Sequence, residues 1–105
     1  MILKFESNNT ITFIPKSIDY AQWDQAFTAV YSAKQLITLQ FDLTQLEETP
    51  KVGQLLGMKH VLDAHRTNTK KYLKESKIIL NNKLLANTLR CALPLLKPEK
   101  PVTII

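Results

Sequence analysis

Ile37, Leu39, Phe41 and Leu43 are apolar at every second position, with Thr38, Gln40 and Asp42 between them. A period of two sends the apolar set to one face of a strand. The same period marks Leu3 and Phe5 and then Ile11 and Phe13, on either side of Ser7-Asn8-Asn9, where asparagine tolerates the positive φ of a tight hairpin turn. Between hairpin and strand the period changes. Trp23, Ala26, Phe27, Val30 and Tyr31 fall at i, i+3, i+4, i+7 and i+8, the stripe of an amphipathic helix, and Asp19 with Gln22 three residues later has the form of a capping box at its start.

Beyond the strand at 36–43, Thr49 and Pro50 suit a helix start, Thr as the cap and Pro as a first helical residue that needs no N–H. The predicted helix runs from about 50 to 65 and buries Val52, Leu55, Leu56, Met58 and Leu62. Gly53 and Gly57 both sit inside it, at roughly 1 kcal/mol each against alanine, so close packing onto something flat, such as a sheet, is expected. A lysine-rich connector at 66–74 extends the helix by a turn or two, and a short strand follows at 76–80. Asn81 and Asn82 cap a third helix with Leu84, Leu85, Leu89, Ala92 and Leu93 facing inward, ending near Pro94. The proline-flanked segment 97–101 is a stiff connector into a last strand at 102–105.

Hairpin, helix, strand, helix, strand, helix, strand is an order that builds parallel neighbours through right-handed crossovers. Polar Thr38, Gln40 and Asp42 on the back of the third strand imply helices on one face only, because a doubly covered strand reads as continuously apolar. The expected fold is therefore an α/β two-layer sandwich, with a mixed, mostly parallel sheet and helices on one face. With 105 residues and 45% hydrophobic content, one domain over 1–105 accounts for the chain. No apolar run is long enough for a membrane span and no leader pattern opens the sequence, so a cytoplasmic protein is expected. The single Cys91 has no cysteine partner for a disulfide or a structural zinc site. A net charge of +5 conceals an asymmetry: residues 1–50 hold three lysines against six carboxylates, and residues 51–105 hold nine lysines and two arginines against three carboxylates.

The order of elements, together with the segment Leu46-Glu47-Glu48-Thr49-Pro50-Lys51-Val52-Gly53-Gln54-Leu55-Leu56-Gly57, resembles the STAS family of anti-sigma factor antagonists and transporter-associated subunits. In that family the strand runs into an acidic residue, Ser or Thr, Ser or Gly, Gly, an aliphatic residue and a small residue before an apolar helix. Glu48 matches the acidic position, Thr49 the first hydroxyl position, Pro50 that of the serine phosphorylated by partner kinases, Lys51 the glycine, and Val52 and Gly53 the last two. Pro50 has no hydroxyl, so the resemblance implies a docking domain without the usual switch. Thr49 is the nearest phosphoacceptor, against its reading as a simple N-cap. The implied partner is an anti-sigma kinase-like protein or an ABC-transporter ATPase subunit, and the implied contact set is Glu47, Glu48, Thr49, Pro50, Lys51, Gln54 and Met58.

Catalytic chemistry has little to draw on. His60 and His65, five apart, point about 140° from each other on a helix, and no cysteine or carboxylate cluster completes a metal set. Asp63 can pair with His60 as a surface ion pair, Asp42 and Glu48 are candidate paired carboxylates near the strand end but nothing in the sequence supplies them a pocket, and Cys91 reads as a small buried hydrophobe. No phosphate loop or nucleophile elbow is present, so the expectation is a protein that is not an enzyme and uses no cofactor. The alternative is a nucleic-acid module built on Lys59, Arg66, Lys70, Lys71, Lys74 and Lys77, with Tyr72 as the only aromatic among them.

Overall fold

The computed structural model describes residues 1–105. β1 (Ile2–Glu6) and β2 (Thr10–Ile14) form the antiparallel hairpin, and Asn8 and Asn9 in its turn adopt φ of 65° and 56°. The left-handed region is where asparagine costs least among residues with a side chain. α1 (Tyr20–Tyr31) leads to β3 (Ile37–Asp42), α2 (Val52–Ala64) and α3 (Arg66–Tyr72) lead to β4 (Leu73–Ile79), and α4 (Lys83–Leu96) leads to β5 (Val102–Ile104). The sheet runs β1-β2-β3-β4-β5, with β2 to β5 parallel. It is the mixed, mostly parallel sheet of a two-layer α/β sandwich.

One core joins the two layers. Ile11, Phe13, Ile37, Leu39 and Ile78 from the sheet meet Trp23, Phe27 and Val30 of α1, Leu55, Met58 and Val61 of α2, and Leu85 and Leu89 of α4. Phe13 stands edge-on to Phe41 with ring centroids 5.4 Å apart, the arrangement aromatic quadrupoles favour. On the other face, register aligns Thr10 with Thr38, Thr12 with Gln40 and Gln40 with Lys77, a polar surface in which the Thr12 hydroxyl donates to Gln40 Oε1 at 3.2 Å. Burial of one face alone fixes the strand register, because a slip of one residue would exchange the two sets.

Local structure departs from the sequence expectations at several points. Asp19 caps α1 by accepting the Gln22 N–H at 3.2 Å, but Gln22 Oε1 accepts from the amino terminus of Met1 at 3.3 Å instead of returning the bond to Asp19. α2 starts at Val52 with Lys51 as its cap, so neither Thr49 nor Pro50 has the expected place. Pro50 is buried, and the chain stays extended through Lys51, whose φ is −82° and ψ 159°. Of the two glycines, Gly57 is closely packed, though against Tyr20 of α1 and not against a sheet, whereas nothing lies within 4 Å of a Cβ built on Gly53.

The connector at 66–74 is a separate helix, α3, broken from α2 at His65, whose φ of −105° and ψ of 9° leave the helical region. β4 begins at Leu73, three residues early, because its register against β3 shifts between Ile37 and Thr38. One extra residue, Lys74, bulges outward there and interrupts the alternation that would have marked the strand. α4 passes through Pro94 to Leu96, and Leu84 is 64% exposed instead of facing inward. Both Pro94 and Arg90, whose carbonyl loses its helical donor, lie on the exposed side, where that carbonyl need not be buried without a partner.

Candidate functional site

The turn between β3 and α2 lies at the carboxyl end of the parallel strands, where open α/β sheets usually place their binding surfaces. It is held by a series of local bonds. The Asp42 carboxylate accepts from the Thr44 N–H at 3.0 Å and the Thr44 hydroxyl at 2.6 Å, closing the chain after the strand. Glu47 N–H donates to the Lys16 carbonyl at 3.0 Å, pinning the turn to the segment behind β2. Gln54 Oε1 accepts from Lys51 N–H at 2.9 Å, and the Tyr20 hydroxyl donates to the Gln54 carbonyl at 2.8 Å. Asn82, which caps α4 by accepting from Leu84 and Leu85 N–H, also donates to the Thr49 hydroxyl at 3.3 Å. The starts of α2 and α4 are thereby joined.

Glu47, Glu48, Thr49, Lys51 and Gln54 are exposed on this corner. Met58 is 7% exposed and Pro50 is buried, so the contact set expected from sequence loses both, Met58 to the inward stripe of α2. The corner also carries two apolar side chains that the sequence reading did not assign to it, Val52 at 39% exposure and Leu84 at 64%. Leu84 arrives from thirty residues further along, and only the adjacency of α2 and α4 reveals it.

The remaining candidates are separated by the fold. Asp63 pairs with Lys59 at 2.8 Å and Arg66 at 2.5 Å, not with His60. Bonds to these two cations hold the Asp63 carboxyl at a pKa of about 2. Arg66 also pairs with Glu99 and donates to the Lys97 carbonyl at 3.2 Å; the bond from Arg66 lowers the Glu99 pKa, and the bonds to Asp63 and Glu99 raise that of the guanidinium. His65 lies 2.7 Å from Asp24 and tilts against Phe27, locking α1 to the α2–α3 junction. Burial raises the Tyr31 phenol, opposed by its 2.9 Å bond with the Thr69 hydroxyl. Cys91 is exposed on α4, contrary to the buried position expected for it. Asp42 is spent on the turn while Glu48 is free, so these two do not act as a pair.

The basic stretch is also divided. Lys59 and Arg66 are ion-paired among the helices, Lys77 faces the open side of the sheet beside Glu75, and Lys70, Lys71 and Lys74 remain unpaired. No helix is long and apolar enough to cross a membrane. Compared with known proteins, the chain matches no family model, no curated protein and no solved structure.

Proposed function

We propose that the protein is a non-enzymatic, regulatory docking domain of STAS type that acts in the cytoplasm on an anti-sigma kinase-like protein or an ABC-transporter ATPase subunit. The observation that carries this reading is the corner formed by the starts of α2 and α4. Exposed Val52 and Leu84 stand among Glu47, Glu48, Thr49, Lys51 and Gln54, on backbone tied down by the bonds to Lys16, Tyr20 and Asn82. Apolar anchors within a polar rim are the usual anatomy of a protein contact, and a pre-ordered turn loses little entropy on binding. Thr49 is exposed beside Glu47 and Glu48, where an added phosphate would meet like charge on one side and Lys51 on the other. The contact is read as constitutive.

The test is calorimetry with the host's own anti-sigma kinase-like and ABC-transporter ATPase proteins. Leu84→Asp and Lys51→Glu should each weaken binding by about tenfold or more, the range for a hot-spot residue, with unchanged thermal unfolding. Lys77→Glu on the open sheet face should have no effect. Equal affinity for all variants, or loss confined to Lys77→Glu, would overturn the assignment.

A further inference from the structure

Between α3, the end of α4 and the sheet lies a cavity of about 110 Å³, far from the corner described above. α4 begins at that corner and ends here, and its 14 residues span about 21 Å. Tyr31, Leu39, Leu73, Ile78, Leu93 and Val102 form its walls, and ten of its 17 lining residues are hydrophobic. A cavity of roughly 150 Å³ holds benzene; at about 110 Å³ this one is smaller and has room for the apolar end of a small ring or short chain whose polar end stays at the mouth.

The mouth is charged. The connector after α4 crosses it, and Lys97, Glu99 and Lys100 line it together with Arg66. Lys97 turns the chain across the opening with φ of 50°, and Arg66 fastens the connector by its bonds to Glu99 and the Lys97 carbonyl. Asp63 and Glu99 are both taken by Arg66, whereas Lys97 and Lys100 have no carboxylate within ion-pair distance. Of the charged residues that line the mouth, three are cations, Arg66, Lys97 and Lys100, and one is a carboxylate, Glu99, while Asp63, outside the lining, is shared by Arg66 and Lys59. An anion is therefore favoured at the mouth of an apolar cavity.

We propose that this cavity binds a small amphipathic monocarboxylate, an aryl or short-chain acyl acid. Its apolar end lies against Leu39, Leu73 and Ile78, and its carboxylate meets Lys97 and Lys100. Ser76, buried on β4, places its hydroxyl on the cavity wall among otherwise apolar neighbours. The proposal is independent of the docking corner, because no residue is shared between the two places.

Backbone NMR of the full chain with four probes separates the elements of the site. Benzoate and hexanoate should shift the Leu73, Ser76, Ile78 and Val102 amides saturably at millimolar concentration; benzene should move the same amides with lower affinity, and acetate should leave them in place. The double variant Lys97→Gly with Lys100→Gln keeps the left-handed turn, which glycine accepts, and should weaken benzoate by about tenfold, the scale of a lost charge-assisted bond, without changing benzene. Leu93→Trp, directed into the void, should abolish binding of both, with its thermal unfolding checked against the parent. The proposal is overturned if no probe moves the interior amides of the unaltered protein. Equal affinities for benzoate and benzene, or for benzoate and acetate, overturn it as well, since they leave an apolar void or a surface anion contact.

Discussion

A Cβ on Gly57 would fall 2.2 Å from the Tyr20 hydroxyl oxygen and 2.6 Å from Cζ, whereas one on Gly53 meets nothing within 4 Å. The two glycines, alike in sequence, therefore have opposite predicted responses. Gly53→Ala should raise stability by up to about 1 kcal/mol, the helix-propensity difference, measured by urea unfolding. Gly57→Ala has the same propensity gain but must expel the Tyr20 ring and its bond to the Gln54 carbonyl, so it should be destabilising; in a Tyr20→Ala background it should become stabilising. Equal effects of Gly57→Ala in both backgrounds would remove Tyr20 as the reason for the glycine. Asp63 provides a second test. Its carboxyl is held at about 2, below the ordinary 3.8, first by its bond from Lys59 and then by that from Arg66. A depressed acid stabilises the fold above its unfolded value and loses that contribution as pH falls through the folded one. The stability difference between the parent and Asp63→Asn should therefore be constant above about pH 5 and shrink towards about pH 2; a difference independent of pH would contradict the pairing.

The elements legible in the sequence are those whose burial is set by one uninterrupted period. β3 and α1 are the clearest cases: Ile37 and Leu39 are buried as the alternation demands, and the five-residue stripe from Trp23 to Tyr31 is buried in full. Where two requirements compete, local pattern misleads. Thr49 has the chemistry of a cap, but its hydroxyl accepts from Asn82, Pro50 is buried and the chain stays extended through Lys51, so Lys51 is the cap and the helix starts at Val52. A bulge at Lys74 hides the first residues of β4 from any search for alternation. Pro94 fails to end α4 because Leu96, buried, still has core to reach. The docking corner was legible in its acidic residues, which follow one another along the chain, and not in Leu84 and Asn82, which only the neighbouring helix brings there. α4 stops at Lys97, whose left-handed φ of 50° is a conformation that suits glycine. Lys97→Gly should consequently raise the unfolding free energy measured in urea by about 1 kcal/mol, and an unchanged value would show that the side chain offsets its own strain.

At the scale of the molecule, the sheet order repeats the chain order, and so does the helical layer, where α1 adjoins α2 and α3, and α2 adjoins α4. In the sheet, the strands of the first half of the sequence therefore lie on one side and those of the second half on the other. Residues 1–50 hold three lysines against six carboxylates, and the stretch from α3 to β5 holds nine basic residues against two carboxylates, with Lys51, Lys59 and Asp63 at or in α2 between them. A molecule of net charge +5 thus presents an acidic flank and a strongly basic one, and an anionic surface should meet the basic flank first. Cation-exchange chromatography can read that orientation. Lys71→Gln with Lys83→Gln, and Lys4→Gln with Lys16→Gln, each replace two exposed lysines and lower the net charge equally. The first pair lies on the basic flank and should elute at clearly lower salt than the second, because screened interactions act only within about a Debye length, roughly 10 Å at 0.1 M salt. Identical elution of the two variants would mean that the matrix senses only total charge, and the polarity inferred from the sheet order would then have no consequence for what the protein meets.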